Sequence, residues 1–389
     1  MLVPIIVILL SYIAYGIVWR LYFSPIAEFP GPKLAAISIL YEIYHEIVLG
    51  GKYTFKIKEL HEKYGPIIRI NPWELHISDP DYYDELYAAG GRDQFGNSES
   101  MIGTVSHDHH RLRRGVMNRH FSKASVFRLE PMIQKYVDSL VRRLRSYKDS
   151  KKPINLSWAF SCFTFDVISE YALGQTNSSI ESSDDFHTDF HDAIENIGNI
   201  SHVTKVFPWI FTLMQCMPMS LIKFLDSKTV SVVEFQMEMK AQIGAIINGK
   251  NNNHERSSQP TIFHEILSIA RLWQEGQTVI GAGTETTAWT LSVIAYHVLA
   301  NPDILSKLLA EMEGKNGLKE LEQLPYMTAV IQEGLRLSFG VVAHLQRISP
   351  DQVLKFHDWE IPPGGSSSNR TSTMEESSIL EYNWKIQTV

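Results

Sequence analysis

Apolar and polar positions divide the chain unevenly. Residues 1–18 are nearly all apolar, interrupted by Ser11 and Gly16, and Trp19, Arg20 and Tyr22 follow. That length is at the lower edge for a membrane span, and aromatic residues beside an Arg fit a membrane–water interface. A cleaved signal peptide is the competing reading; it wants a basic start and a small-residue cleavage site, and neither is clear. The positive charges after the run, Arg20 and then Lys33, put the remainder of the chain in the cytosol by the positive-inside rule. Pro25 and Pro30-Gly31-Pro32 cannot continue a helix and predict a stiff hinge over 23–33.

Beyond residue 33 the pattern is mostly helical. Residues 66–70 and 73–78 alternate, are β-rich and are separated by Asn71-Pro72, which predicts a small hairpin; Asp79-Pro80 then opens a short helix. Residues 106–118 read as a basic helix, with Arg111 and Arg114 on one face. The run from Asn155 to Gly174 has a cap at its start, Gly at its end and apolar residues at helical spacing, so it is core. Residues 203–225 carry an excess of Phe, Trp, Met and Leu, which fits a second membrane-touching surface or a core helix pair equally well. A polar linker, 249–259, leads through 262–267 into a long helical run, 271–300. Asn301-Pro302 caps the next helix, and Pro325 opens the one after, 326–337.

Composition narrows the class. A chain of 389 residues with 44% hydrophobic content buries a large core, and a net charge of −7 gives no sign of a nucleic-acid binder. Two cysteines, Cys162 and Cys216, argue against a disulfide framework and fit a reducing compartment. Acceptor patterns for glycosylation begin at Asn155, Asn177, Asn199 and Asn369 and go unused if the chain is cytosolic.

Chemistry concentrates in the long helical run. Gly281 and Gly283 each cost roughly 1 kcal/mol against Ala in a helix interior. Thr284, Glu285, Thr286 and Thr287 follow, and Thr hydroxyls bond back to the i−4 carbonyl. The weak centre either makes room for a bound group or is a helix crossing, and spacing alone favours the crossing. A metal site at His107, His109 and His110 lacks further ligands in view. Glu333 and Arg336, three apart, share a helix face and pair.

In chain order these pieces resemble the cytochrome P-450 family of haem-thiolate monooxygenases. Ala282-Gly283-Thr284-Glu285-Thr286-Thr287 is similar to the family's oxygen-binding signature, on the helix that crosses the distal face of the haem. The resemblance implies that Ala282 and Gly283 border the cofactor and that Glu285 and Thr286 relay protons. Residues 110–114 resemble the family's Trp-Arg-x-x-Arg helix, which binds a haem propionate; Arg111 and Arg114 match the arginines and His110 replaces Trp. Glu333-Gly334-Leu335-Arg336 resembles the buried Glu-x-x-Arg pair that supports the haem pocket. Residues 341–347 resemble a stretch of substrate contacts ending in a second propionate Arg, Arg347, with His344 where similar fungal sequences often carry Arg; residues 359–364 resemble the strand and turn that follow.

By that resemblance the fold is mainly α with small β-sheets. A membrane anchor (1–22) and hinge (23–33) precede a partial catalytic domain (34–364) and a divergent tail (365–389). The implied setting is the endoplasmic reticulum membrane, single-pass, with the globule cytosolic. The implied chemistry is insertion of one oxygen atom into a lipophilic small molecule, such as a terpenoid in fungal secondary metabolism, with electrons from NADPH through a flavoprotein reductase.

Nothing after Gly365 resembles the family's axial-cysteine loop, and no cysteine follows Cys216. Without a thiolate, oxygen activation by the family's route is expected to fail. The Glu333–Arg336 pair also lacks its usual third partner, an absence that typically costs about 3–5 kcal/mol. A non-catalytic, membrane-anchored lipophile- or partner-binding protein is the alternative.

Overall fold

A computed structural model describes residues 2–88, 104, 107–118, 121–150, 152–174, 178–225, 227–247, 269–340, 347–349, 352–363 and 366–369. The chain enters as helix α1 (Leu2–Val18) and runs on into a π-turn, Trp19–Phe23. The stretch Val3–Phe23 is long and apolar enough to cross a membrane, and its apolar window is wholly unburied.

The proline-rich connection is packed against the body of the protein. A Cβ on Gly31 would lie 2.5 Å from the Arg69 carbonyl oxygen, and the Arg69 amide donates to Pro30 O at 2.7 Å. The Arg69 side chain is fully buried. It donates to Arg20 O (2.8 Å) and Pro72 O (2.7 Å), and at longer range to Asn71 O (3.3 Å) and Ile26 O (3.4 Å). Four carbonyl acceptors replace the water this cation loses. Burial, and then the Arg20 charge, lower its pKa to about 10, which leaves it charged at neutral pH.

Helix α2 (Tyr53–Tyr64) buries Tyr53, Ile57 and Leu60 against Ile68 and Ile70, and the Tyr53 hydroxyl donates to Ile70 O. The expected hairpin forms from β1 (Ile67–Arg69) and β2 (Glu74–Ile77), antiparallel, with Ile67 opposite Ile77. Asp79 does not open a helix at Pro80. Its carboxylate accepts from the Asp81 amide at 2.9 Å to make a turn, and the helix starts at Tyr83.

A helical bundle follows: α3 (His107–Asn118), α4 (Glu130–Ser150), α5 (Leu156–Leu173), α6 (Asp189–Val206), α7 (Pro208–Cys216), α8 (Ser227–Ile247) and α9 (Ile269–Ala300). After them come α10 (Pro302–Met312) and α11 (Pro325–Leu337). Helix α5 has the predicted ends: the Asn155 side chain accepts from the Trp158 amide at 3.3 Å, and Gly174 stops it at φ 66°. Asn301 stands at the N-cap of α10 with Pro302 first in the helix, as predicted, but its side chain makes no capping bond. Its amide donates to His297 O at 2.7 Å, satisfying an orphan carbonyl at the end of α9.

Helix α9 lies along α5 over much of its length and also touches α8 and α11. Met117, Ala172, Leu173, Ala193, Phe235, Met239, Ile243, Leu272 and Ile280, from α3, α5, α6, α8 and α9, form one buried core cluster. Across 203–225, Ile222 is buried while Trp209, Leu213, Leu221 and Phe224 are exposed, so the stretch carries a surface as well as a core face.

The remaining strands are β3 (Arg347–Ile348), β4 (Leu354–Phe356), β5 (Trp359–Ile361) and β6 (Ser366–Asn369). Strands β4 and β5 pair as a hairpin, while the larger sheet runs β1-β2-β6-β3 with β6 parallel to β2. The tail therefore begins as a strand. Its Ser-rich sequence has no alternation to announce it, and the backbone ladder to two neighbours carries the pairing. The polar linker 249–259, the run 262–267, the stretch 341–346, Asn177 and the tail from 370 lie outside the described residues.

Candidate functional site

Two sides of α9 differ sharply. Ala282, Thr286 and Trp289, spaced i, i+4, i+7, form an exposed strip. Thr286 donates to Ala282 O at 2.7 Å, the back-bond the sequence predicts. Thr290 and Ser338 hydroxyls, 2.8 Å apart, tie the strip to the end of α11.

Behind the strip the helix is packed. Ile280, Thr284 and Ala288 are buried, and the Thr164 hydroxyl of α5 donates to Thr284 O at 3.0 Å. A Cβ on Gly283 would lie 2.8 Å from Ile168 Cγ1 of α5. Gly283 thus faces a helix crossing, while Ala282 borders the open strip. This separates two residues that the resemblance assigned together to the cofactor.

Glu285 projects toward α5 and α6. Its Oε1 accepts from the Ser161 hydroxyl at 2.5 Å and lies 3.7 Å from His191 Nδ1. Burial pushes the Glu285 pKa up, but the His191 and Ser161 contacts, with the His191 charge, outweigh it and leave the carboxyl below its usual range. The group is an anion at neutral pH.

On α3 the 3.6-residue period splits the basic run. His110, Arg113 and Met117 are buried, with Arg113 donating to Thr104 Oγ1 at 2.6 Å, whereas Arg111 and Arg114 are exposed on the other face. Those two arginines are available to an anionic group, and no described contact joins them to α9. Among the described residues no group of three or more His, Cys, Asp or Glu could hold a metal ion, and the side chain of His107 lies outside them.

On α11, Arg336 grips Glu333 with both arms, Nε to Oε2 and Nη2 to Oε1, each at 2.7 Å. The fork is half-buried, and the buried Gly334 between the two residues lets Ile294 of α9 close onto α11. Arg347 lies in β3 opposite Ser367.

Neither cysteine resembles an axial ligand. Cys162 is buried among Tyr136, Leu140 and Ala159, and its thiol donates to Phe186 O at 3.2 Å. Burial first, then Asp166 and Glu285, push its pKa up to about 12, so it is a thiol. Cys216 is exposed at the end of α7. The exposed arginines of α3 have the chemistry to hold an anionic group such as a propionate, and the described residues offer no thiolate.

Helix order, the α9 strip and the Glu333–Arg336 fork are those of a mainly α scaffold of the kind the motifs resemble. The sequence profile of the cytochrome P-450 family matches residues 30–366, and the chain belongs to that family, whose cofactor is haem. It is 42% identical to the cytochrome P-450 monooxygenase tpcC of Cochliobolus heterostrophus, over 93% of this chain and 75% of that protein. It is 39% identical to the conidiogenone synthase of Penicillium rubens (95% and 78%) and 38% identical to the tryptophan 6-hydroxylase fscE of Fusarium equiseti (88% and 72%).

Sequence reasoning missed Ser161 and His191, the partners of Glu285, and the burial of Arg69 and Arg113. The first two lie 124 and 94 positions from Glu285, and no local pattern marks them. The burial of Arg113 was open to detection, because it shares a helix face with Met117.

Proposed function

We propose that the chain is the distal half-site and scaffold of a membrane-anchored haem monooxygenase acting on a lipophilic small molecule in fungal secondary metabolism. The observation that carries this reading is the exposed strip Ala282–Thr286, with an anionic carboxylate, Glu285, held directly behind it. Bound haem supplies dioxygen binding and reduction. The chain's own residues do the rest. Ala282 keeps the wall low, Thr286 presents a hydroxyl, and Glu285 holds or releases a proton beside it. Consecutive residues lie about 100° apart around a helix, so the proton passes between them through a water or a rotation of Glu285. Arg111, Arg114 and Arg347 are assigned to the propionates, for which a guanidinium fork is suited. The Glu333–Arg336 fork holds α11 under the pocket.

In this reading α1 is a single-pass anchor in the endoplasmic reticulum with the globule cytosolic, and the exposed Trp209 and Phe224 add a second membrane contact. Electrons come from NADPH through a flavoprotein reductase. A terpenoid is the substrate class to test first, with an indole such as tryptophan as comparison because one relative hydroxylates it.

A second reading is a non-catalytic lipophile- or partner-binding protein, in which the buried thiol of Cys162 and the exposed Cys216 play no part in ligation. The test is to express the 389-residue chain with haem supply and record its reduced, carbon-monoxide-bound spectrum alongside lipophile binding. A thiolate-type Soret band overturns the second reading. Lipophile binding without that band supports it for these residues, and binding of neither ligand overturns both.

A further inference from the structure

Glu285 is the inner end of a line of titratable side chains that reaches the surface. His191 Nδ1 lies 3.7 Å from its Oε1, and the His191 side chain is 19% exposed. His187, four positions before His191, and Asp192, the residue after it, pair at 3.0 Å and are 39% and 44% exposed. The rings of His187 and His191 are 6.1 Å apart, and Trp158 touches both, with centroids at 4.7 Å and 5.9 Å. Exposure therefore falls stepwise from His187 to His191, and one tryptophan fixes the spacing.

We propose that His191 passes protons to Glu285, fed from solvent through the His187–Asp192 pair. This rests on the reading that Glu285 supplies protons to the pocket. His191 Nδ1, 3.7 Å from Glu285 Oε1, is beyond direct hydrogen-bond reach, and the imidazolium gives its proton to Oε1 once a side-chain rotation closes that gap. Loss of that proton leaves the ring's lone pair on Nδ1, so the neutral ring turns before Nδ1 takes a proton from the His187 imidazolium across a water, and His187 is recharged from solvent beside Asp192. No electrons move. Ser161 holds Oε1 in place while this happens.

The titratable groups around Cys162, which also feels the Glu285 charge, are committed elsewhere. From α5, Cys162 stays a thiol, and the Asp166 carboxylate accepts from the Ser179 and Ile180 amides at 3.0 Å and 3.1 Å. From α4, Arg143 donates to Ser183 O at 2.6 Å. Among the described groups that face Glu285, His191 is the one whose ordinary titration range is that of a physiological proton carrier.

The test uses the full chain in lipid nanodiscs with 15N-labelled histidine, following His191 by NMR. Glu285→Gln should lower the proton affinity of His191 about tenfold, one pH unit in its midpoint. His187→Phe, which keeps a ring against Trp158, should slow exchange of the His191 ring N–H with water about tenfold, and Asp192→Asn should slow it in the same direction. An unmoved midpoint in Glu285→Gln breaks the link to Glu285. Unchanged exchange in both His187→Phe and Asp192→Asn shows that His191 meets solvent directly and overturns the path. Neither readout needs haem or turnover, so failure of the relay is distinguishable from failure of the monooxygenase reading.

Discussion

Gly283→Ala should destabilise the native chain yet stabilise it once Ile168 is gone. The new Cβ would sit 2.8 Å from Ile168 Cγ1 and 3.1 Å from Cδ1, about 1 Å inside ordinary carbon contact. Overpacking of this kind typically costs about 1–3 kcal/mol, while Ala in place of Gly in a helix interior gains about 1 kcal/mol. The expected net loss is about 1 kcal/mol. Ile168 is β-branched and stiff at χ1, so it cannot simply rotate away. Ile168→Ala alone should cost about 2 kcal/mol, the low end for a half-buried side chain. In that background the Gly283→Ala methyl enters the vacated space, and both helix propensity and packing favour it. Hydrogen exchange of peptides from the centre of α9 reads the local opening free energy. Exchange there should speed up about fivefold in Gly283→Ala and slow down when Gly283→Ala is added to Ile168→Ala. An equal destabilisation in both backgrounds would refute the packing account and return Gly283 to the role of admitting a bound group.

Arg69→Met keeps the apolar stem but leaves the Arg20 and Pro72 carbonyls without their short, charged donor. A loss of about 3–4 kcal/mol is expected from two such bonds, checked by thermal unfolding and by proteolysis within residues 23–33. Cys216 should react with a thiol reagent at pH 8 within minutes while Cys162 stays unlabelled until the chain is unfolded; mass spectrometry after mild labelling decides. Because the folded pKa of Glu285 is lowered, its contribution to stability is full above the ordinary carboxylate range and is lost as pH falls through the folded value. Wild type should therefore lose stability relative to Glu285→Gln on acidification below about pH 4.5, and a constant difference from pH 7 to pH 3 would count against the pairing with His191 and Ser161.

Local chemistry in the sequence was a good guide where the contact was local. Asn155 and Gly174 bound α5 as their backbone preferences dictate, the 66–78 hairpin closes on its Asn-Pro turn, and Glu333 grips Arg336 one helical turn away. Legibility failed where a distant element competed for the same group. Asn301 holds the N-cap position of α10, but its side-chain amide bonds His297 O at the end of α9 and not the amides of α10. Ser366–Asn369 pairs with β2, almost 300 positions away, on backbone hydrogen bonds that leave no trace in side-chain pattern. In the site, the motif marked Glu285 as chemically active but could not show which way it points. That direction is set by where α5 and α6 place Ser161 and His191.

The Arg69 clamp makes α1 a lever. A single span on a loose tether accommodates a bilayer of the wrong thickness by tilting alone, with nothing transmitted to the globule. Here the carbonyls of Arg20 and Ile26 are gripped from within the sheet, so a tilt of α1 turns the whole body. Val3–Phe23 spans 21 residues, which is about 30 Å of helix, the thickness of an average hydrocarbon core. With α1 anchored as proposed, a thinner or thicker membrane would roll the body and change the angle at which the exposed Trp209 and Phe224 meet the headgroups. On that anchoring, bilayer thickness becomes a mechanical input to the orientation of the globule.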